Sequence, residues 1–231
     1  MTIEKGQAWG IPAPDVKPEH SAGNDAELAS LAGAAVAEGH PLVASVTAGD
    51  LLATLGLSQP RPIDERFAYP IDLGQAFLRS ESDGLEAGPF PFVAHLIVGH
   101  AGRSPWPASF GPLADLIGGA IARALGHGVP CTVAAMNAAW LGDLRLGPKA
   151  HPNDGLLDVT EGQVGFRERR EAVSRARSGS HLPHPALSTS RVAQWSASFD
   201  RPRSVSLDGV AKGRFMAVRI ELVPDAITVV A

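Results

Sequence analysis

Two short stretches of the chain predict the same kind of structure. Residues 148–159 read PKAHPNDGLLDV and residues 206–210 read SLDGV. Asn, Asp and Gly are favoured in tight turns, and Asp-Gly between two strand-like runs is a common hairpin signal. In both stretches these residues lie beside short runs that alternate polar and apolar side chains, as half-exposed antiparallel strands do. The two stretches therefore predict strands joined by short turns.

The composition predicts a globular, strand-rich protein. The 231 residues are 45% hydrophobic, which is ample for a core, and include 25 Gly and 19 Pro, which favour many turns. This length corresponds to one large or two modest domains. Cys131 is the single cysteine, so the sequence has no internal disulfide and fits a reducing compartment. A cytoplasmic location is the expectation.

Charge and hydropathy argue against two classes of partner. With 20 basic and 24 acidic residues the net charge is −4, and aromatic residues make up only 6% of the chain. Neither value favours binding to nucleic acid. The sequence shows no secretory signal pattern and no run approaching the roughly 18 apolar residues that cross a bilayer. We expect a protein that binds no nucleic acid and is not integral to a membrane.

The amino-terminal part predicts a helix, a strand and a second short helix. Asn24 is a candidate N-cap, and Glu27 follows it at the spacing of a capping box. Apolar residues then recur at helical spacing up to Gly39, which is placed to end the helix. Residues 42–46 form a short apolar run suited to a buried strand, and a helix is expected from Asp50 to Leu55.

The remainder of the chain predicts mainly strands. Two helices are expected in it, over about residues 113–125 and 166–178. The predicted strands cover residues 69–74, 90–98, 131–137, 156–160, 191–195, 203–207, 216–223 and 224–230.

The motifs from about residue 46 to the end of the chain resemble those of the diacylglycerol kinase and sphingosine kinase-like family. Residues 148–159 are similar to the family pattern P-x-A-x-x-x-D-G-x-L-D-V, and residues 46–56 to G-T-x-N-D-F-A-R-x-L-G. The resemblance implies an α+β protein with a β-rich, sandwich-like domain of the lipid kinase/NAD kinase-like fold. It further implies a truncated α/β nucleotide-binding unit over residues 1–60 and the β-rich domain over residues 61–231, with the last strand packing back on the first unit.

The resemblance assigns nucleotide-binding positions to Thr47, Gly49 and Asp50, which lie in the loop before the second short helix. Backbone N–H groups at a helix N-terminus can face phosphate. The family's main phosphate-binding run, G-G-D-G-T, precedes this loop on a strand-loop-helix and does not occur in the sequence. The sequence therefore gives ATP only weak support as a cofactor, and we expect the first unit to lack its principal ATP-holding part.

The resemblance also assigns a structural Mg²⁺ to the turn after Pro148. Its ligands would be the carbonyl of His151, the side chain of Asp154 and the carbonyl of Leu156. Oxygen ligands of this kind suit Mg²⁺, which retains several waters. The alternative is that Asn153, Asp154 and Gly155 form only a tight turn.

The position of the family's proton acceptor carries a residue that cannot accept a proton. Where the family reads D-G-E, this chain reads Asp208-Gly209-Val210. No other residue is assigned as catalytic; Asp208, two positions away, is the one candidate base. The alternative is that Asp208 and Gly209 form a hairpin turn.

These features predict a catalytically degenerate, diacylglycerol kinase-like protein that acts as a lipid-binding, small-ligand-binding or partner module. The alternative is a divergent ATP-dependent lipid kinase that phosphorylates a lipid hydroxyl. A third hypothesis is an interaction subunit whose strand edges pair with another chain, including a second copy of itself.

Overall fold

The protein is rich in strands. The computed structural model describes residues 9–57, 66–81, 84–99, 132–162, 164 and 166–231. The elements are β1 (Ile11–Pro12), β2 (His20–Ala22), α1 (Asp25–Ala37), β3 (Leu42–Val46), α2 (Asp50–Leu55), β4 (Phe67–Arg79), β5 (Glu86–Phe92), β6 (His95–Gly99), β7 (Thr132–Met136), β8 (Leu157–Gly162), α3 (Phe166–Ala176), β9 (Leu187–Val192), β10 (Gln194–Leu207) and β11 (Val210–Val230).

The amino-terminal elements form a β-α-β unit. Strands β2 and β3 pair in parallel, and α1 connects them. Asn24 caps α1 as predicted, since its side chain accepts a hydrogen bond from the N–H of Glu27 at 3.0 Å. Helix α2 follows β3, and Gly56 ends it with a φ of 71°, a conformation that glycine adopts without strain.

The strands of the described residues form one continuous hydrogen-bonded sheet. Its main order is β1-β4-β11-β10-β6-β7-β8-β9, with β5 pairing with β4 and β3 pairing with β11. The pairing of β3 with β11 is parallel and joins Ile227, Thr228 and Val229 to residues 42–44. The end of the chain therefore lies against the amino-terminal unit, while most other pairings are antiparallel.

Two main apolar clusters lie along this sheet. The first packs α1 and α2 against β3 and the adjoining ends of β4 and β11, and includes Leu28, Leu51 and Ile71. The second lies between the strands of the sandwich and includes Phe92, Leu157 and Ile220. Because β4 and β11 contribute to both clusters, they connect the amino-terminal unit to the sandwich.

Two predicted strands are interrupted in the structure. The apolar run of residues 90–98 divides into β5 and β6 at Val93 and Ala94, and the run of residues 191–195 divides into β9 and β10 at Ala193. The prediction of one continuous strand in each place is wrong. The helix expected over residues 113–125 and the domain boundary expected near residue 60 lie outside the described residues.

None of the helices in the described part of the chain has the length and apolarity needed to cross a membrane.

Candidate functional site

A carboxylate of α1 accepts hydrogen bonds from the first N–H groups of α2. Asp25 Oδ2 lies 2.6 Å from the backbone N of Asp50 and 3.3 Å from that of Leu51. Gly49 is required here, because a Cβ at this position would lie 2.1 Å from Asp25 Oδ1 and its φ is 137°. The N–H groups that the resemblance assigns to phosphate thus already have a hydrogen-bond acceptor within the chain, the carboxyl group of Asp25.

The surroundings of Asp25 disfavour its charged form. The residue is 5% exposed. Burial raises the pKa of Asp25 to about 7, and the negative charges of Asp208 and Asp50 add to the rise, against the opposing effect of the two N–H groups of α2. A carboxyl group with a pKa near neutrality is uncommon away from functional sites.

The segment before α1 is a strand-loop-helix that the sequence analysis missed. Residues 23–27 read GNDAE and cover the loop after β2 and the first residues of α1, in the place where the family pattern G-G-D-G-T is expected. Gly23 and Asp25 match the first and third positions of that pattern, and the other three positions differ. The signal that could have revealed the loop is Gly-x-Asp at the predicted N-cap of a helix.

The N–H groups of this loop are also bonded to side chains of the chain itself. Glu27 Oε2 accepts the N–H of Gly23 at 2.7 Å, and Asn24 Oδ1 accepts the N–H of Glu27. Thr47 Oγ1 donates to the carbonyls of Ala22 and Gly23, each at 3.4 Å. Thr47, Gly49 and Asp50, the predicted nucleotide-binding residues, therefore surround the loop and Asp25.

Asp50 connects α2 to the sandwich. Its Oδ2 lies 3.0 Å from Nε2 of His95, and its Oδ1 accepts the N–H of Gly142 at 2.8 Å. Burial lowers the pKa of the His95 imidazole, but its hydrogen bond to Asp50 and the negative charge of Asp208 outweigh that effect, so the pKa lies above its ordinary value. One turn later, Thr54 Oγ1 accepts the N–H of Ala139 at 2.9 Å.

Asp208 forms the first position of a two-residue hairpin turn. Leu207 pairs with Val210, and the φ values of Asp208 and Gly209 are 46° and 78°, as a type I′ turn requires. Its Oδ2 accepts the N–H of Val93 at 2.8 Å, while its Oδ1 accepts the N–H groups of Ala94 and His95, each at 2.9 Å.

This geometry favours the turn interpretation of Asp208 over a role as the general base. Both carboxylate oxygens already accept backbone N–H groups, and the side chain is held in the interior. Val210, at the position of the family's acid, is 44% exposed on β11.

The predicted Mg²⁺ ligands lie in a turn, apart from α2. The N–H of Asp154 donates to the carbonyl of His151, and Asp154 Oδ1 accepts the N–H of Leu156. Arg191 donates to Asp154 Oδ2. Among the described residues, no group of three His, Cys, Asp or Glu side chains could hold a metal ion.

The residues of this turn do not fit Mg²⁺ in the observed arrangement. The single carboxylate has an arginine as its counter-ion, and the His151 carbonyl accepts an N–H. A cation would have to displace Arg191, whose other contact is Asp158 Oδ1 at 2.8 Å. Metal binding by His151, Asp154 and Leu156 stays a prediction.

A pocket of about 710 Å³ lies beside the outer strands of the sandwich. One side is formed by β8 and β9, and the other by the segments around Leu146 and Leu182. Pockets that bind small molecules usually measure about 300–1,000 Å³. This pocket is therefore large enough for a ligand.

Comparisons with known proteins agree with this fold. Residues 120–231 match the family model of the YegS C-terminal NAD kinase beta sandwich-like domain. A candidate diacylglycerol kinase from Bacillus anthracis str. Sterne aligns with 90% of this chain and 76% of its own, with 13% identity and a TM-score of 0.58. A crystal structure of a candidate diacylglycerol kinase from the same strain aligns with 80% of this chain and 68% of its own, with 15% identity and a TM-score of 0.53.

At these identities the structural comparisons show a shared fold alone. No functionally curated protein matches the sequence. The match to the family model and the fold together confirm the predicted resemblance and the predicted β-rich, NAD kinase-like fold class. Through residues 120–231 the chain is therefore similar to the YegS C-terminal NAD kinase beta sandwich-like domain, and it shares the fold of these two candidate diacylglycerol kinases.

Proposed function

We propose that the protein is a diacylglycerol kinase-like protein that does not transfer phosphate and that acts as a lipid-binding or small-ligand-binding module. The observation that carries the proposal is the bonding of the would-be phosphate-binding N–H groups to the chain's own carboxylates. The carboxylate of Asp25 accepts hydrogen bonds from the first N–H groups of α2, and the carboxylate of Glu27 accepts one from the N–H of Gly23.

Electrostatics make this arrangement unfavourable for a triphosphate. Phosphoryl transfer depends almost entirely on positioning and on stabilising the charge of the phosphates. In the described part of this loop, a phosphate would have to displace the carboxylates of Asp25 and Glu27 and then lie beside that of Asp50. Each hydrogen bond from these N–H groups to a phosphate would replace one that the same N–H group now donates to a carboxylate of the protein.

The second support is the residue at the position of the proton acceptor. Val210 has no titratable group, and the carboxylate of the neighbouring Asp208 accepts hydrogen bonds from three backbone N–H groups. General-base catalysis contributes about 10²–10⁴-fold to the rate of such reactions. Without a base and without a phosphate cradle, we expect no transfer at the typical kinase rates of about 1–100 s⁻¹.

A transfer assay tests the proposal directly. The purified protein is incubated with Mg²⁺ and γ-labelled ATP and with separate vesicles of diacylglycerol, a sphingoid base or a monoacylglycerol, beside an active lipid kinase as positive control. We expect no labelled lipid above the level of a protein-free reaction. Turnover of any of these lipids at an ordinary kinase rate would overturn the proposal.

A working kinase is the second candidate function, and Asp25 is the observation that favours it. Its pKa of about 7 suits a general base at neutral pH, and it lies two residues after Gly23 in a strand-loop-helix. If transfer is detected, Asp25→Asn should lower kcat at least a hundredfold, because general-base catalysis alone contributes about 10²–10⁴-fold. A divergent kinase that uses another base would retain its kcat in this variant.

A further inference from the structure

The pocket beside β8 and β9 has one wall of free hydroxyl groups. Thr160 on β8 and Thr189 on β9 line it. Thr160 and Thr189 are partners in the register of the two strands, so their side chains lie on the same face of the sheet. Within the described residues, no side-chain hydrogen bond engages these two hydroxyl groups.

The opposite wall is apolar. It is formed by Leu146 and Pro148 before the 151–156 turn, and by Leu182 and Pro183 after α3. Leu146 and Leu182 are half-buried. The pocket thus offers hydrogen-bonding groups on one side and apolar contact on the other, which suits a ligand that is itself amphiphilic.

Lys149 supplies an uncompensated positive charge at this pocket. Two other charged residues line it, but Arg191 donates to Asp158 Oδ1 at 2.8 Å and also contacts Asp154, so both are engaged. Lys149 is exposed, and the described part of the chain provides no carboxylate partner for its ammonium group. The lining residues leave one cation free to meet an anionic group.

From this arrangement we infer that the pocket binds a single-chain amphiphile with an anionic head, whose head lies at Lys149 and whose chain lies against Leu146 and Leu182. The inference rests on the proposed function as a ligand-binding module and names the class of its ligand. A carboxylate and a phosphate monoester share the chemistry that Lys149 recognises. A neutral amphiphile would make the apolar contacts alone.

Calorimetric titration of the full chain with three matched probes tests this inference. The probes are decanoate, decyl phosphate and decanol, each below its aggregation limit, so that the chain is constant and only the head differs. We expect one site for each anion and at least tenfold weaker binding of decanol, since a charge-assisted contact of about 1.4 kcal/mol corresponds to a factor of ten. If both anions bind, their ratio tells which head the site prefers.

Variants separate the head and chain contacts. Lys149→Ala should lower the affinity for both anions about tenfold and leave the affinity for decanol unchanged. Lys149→Glu should lower the affinity for the anions further. Lys17→Ala, which removes an exposed lysine elsewhere, is the matched control and should change nothing. Leu182→Ser should lower the affinity for all three probes. Urea midpoints equal to that of the parent protein establish that each variant is folded.

The inference is overturned if none of the probes binds, if decanol binds as tightly as the anions, or if Lys149→Ala leaves the anion affinities unchanged. These outcomes are independent of the transfer assay. Phosphorylation of a lipid would overturn the proposed function, whereas absent binding together with absent transfer would remove only the ligand class inferred here.

Discussion

Asp208 illustrates how a residue at a position near a family's catalytic acid can have a structural role. It lies in a hairpin turn, where a positive φ is tolerated by Asp, Asn and Gly. Its carboxylate accepts the N–H groups of Val93, Ala94 and His95, which lie where one predicted strand divides into β5 and β6. The side chain therefore anchors the β10–β11 hairpin to another part of the sheet.

The first prediction concerns the stability that Asp208 provides. Asp208→Ala leaves three N–H groups without their acceptor, and each unsatisfied buried group costs about 1–3 kcal/mol. We expect a decrease of about 3 kcal/mol or more in the free energy of unfolding, measured by urea denaturation. Asp208→Asn retains one acceptor oxygen and should lose less.

The matched control for this prediction is Asp15→Ala, which removes an exposed carboxylate and should change stability by less than about 0.5 kcal/mol. An equally small effect for Asp208→Ala would contradict the anchoring role.

The second prediction restores the family's acid. Val210→Glu places a carboxylate at an exposed position of β11, so we expect the fold to tolerate it within about 0.5 kcal/mol. We expect no gain of lipid phosphorylation, because the N–H groups of the loops around Asp25 remain bonded to carboxylates. Activity in this variant, measured with labelled ATP, would show that the missing acid was the only defect.

Among the elements, α1 and α2 are coupled through Asp25. Its carboxyl group belongs to α1 but satisfies N–H groups of α2, which otherwise have no partner within their own helix. The negative charges of Asp208 and Asp50 lie close enough to raise the pKa of Asp25. The group that links the two helices, the carboxyl group of Asp25, is therefore one whose negative charge is disfavoured by its surroundings.

The third prediction follows from the pKa of about 7 for Asp25, compared with 3.8 for the ordinary group. Between these two values the folded state binds a proton that the unfolded state has released. The contribution of Asp25 to the free energy of unfolding is fully present below pH 3.8 and is lost as the pH rises through about 7.

Asp25→Asn removes this titration and keeps an oxygen that can accept the N–H groups of α2. We therefore expect the variant to gain stability relative to the parent protein as the pH rises from about 5 to 8, by about 1.4 kcal/mol per pH unit at most. Urea denaturation of both proteins across this range measures the difference. A difference that is constant with pH would contradict the raised pKa of Asp25.

Local patterns in the sequence were sufficient for the elements that depend on local interactions. The N-cap at Asn24, strand β3 and the end of α2 at Gly56 follow from capping residues and apolar periodicity, and the structure contains all three. The division between β5 and β6 could not be predicted in this way, because the carboxylate that binds Val93 and Ala94 is 114–115 residues away.

The candidate site was predicted only in part for a similar reason. Thr47, Gly49 and Asp50 were identified from a motif, and the structure brings them together around Asp25. Asp25 itself was missed because the Gly23–Glu27 loop matches its family pattern at two of five positions. Its role depends on the N–H groups of α2, which become its neighbours only in the folded chain.

At the scale of the whole molecule, β4 and β11 cross both apolar clusters. β4 contributes Ile71 and Leu73 to the first cluster and Leu78 to the second, and β11 contributes Ile227 and Ile220 respectively. A division into units at residues 1–60 and 61–231 remains our proposal. The first cluster draws residues from both of these units, because β4 and β11 belong to residues 61–231, and its loss would expose those parts of the two strands.

The fourth prediction is that the two clusters unfold together. Trp9 packs on the first cluster and Trp195 on the second. The chain has four tryptophans, so two variants in which Trp106, Trp140 and one of this pair are replaced by Phe report on each cluster separately. We expect urea transitions with the same midpoint by both fluorescence signals and by circular dichroism. Two separate midpoints would mean that the amino-terminal unit unfolds independently.

The central claim is that the chain's own carboxylates already accept hydrogen bonds from the N–H groups that would have to bind the phosphates of a nucleotide. The most direct test is the melting temperature of the parent protein with and without millimolar Mg·ATP. Because a ligand that binds only the folded state stabilises it, a nucleotide site would raise this temperature. We predict the same melting temperature with Mg·ATP as in a control sample that contains Mg²⁺ and, in place of ATP, sulfate at the same ionic strength. A rise of several degrees specific to ATP would contradict the claim.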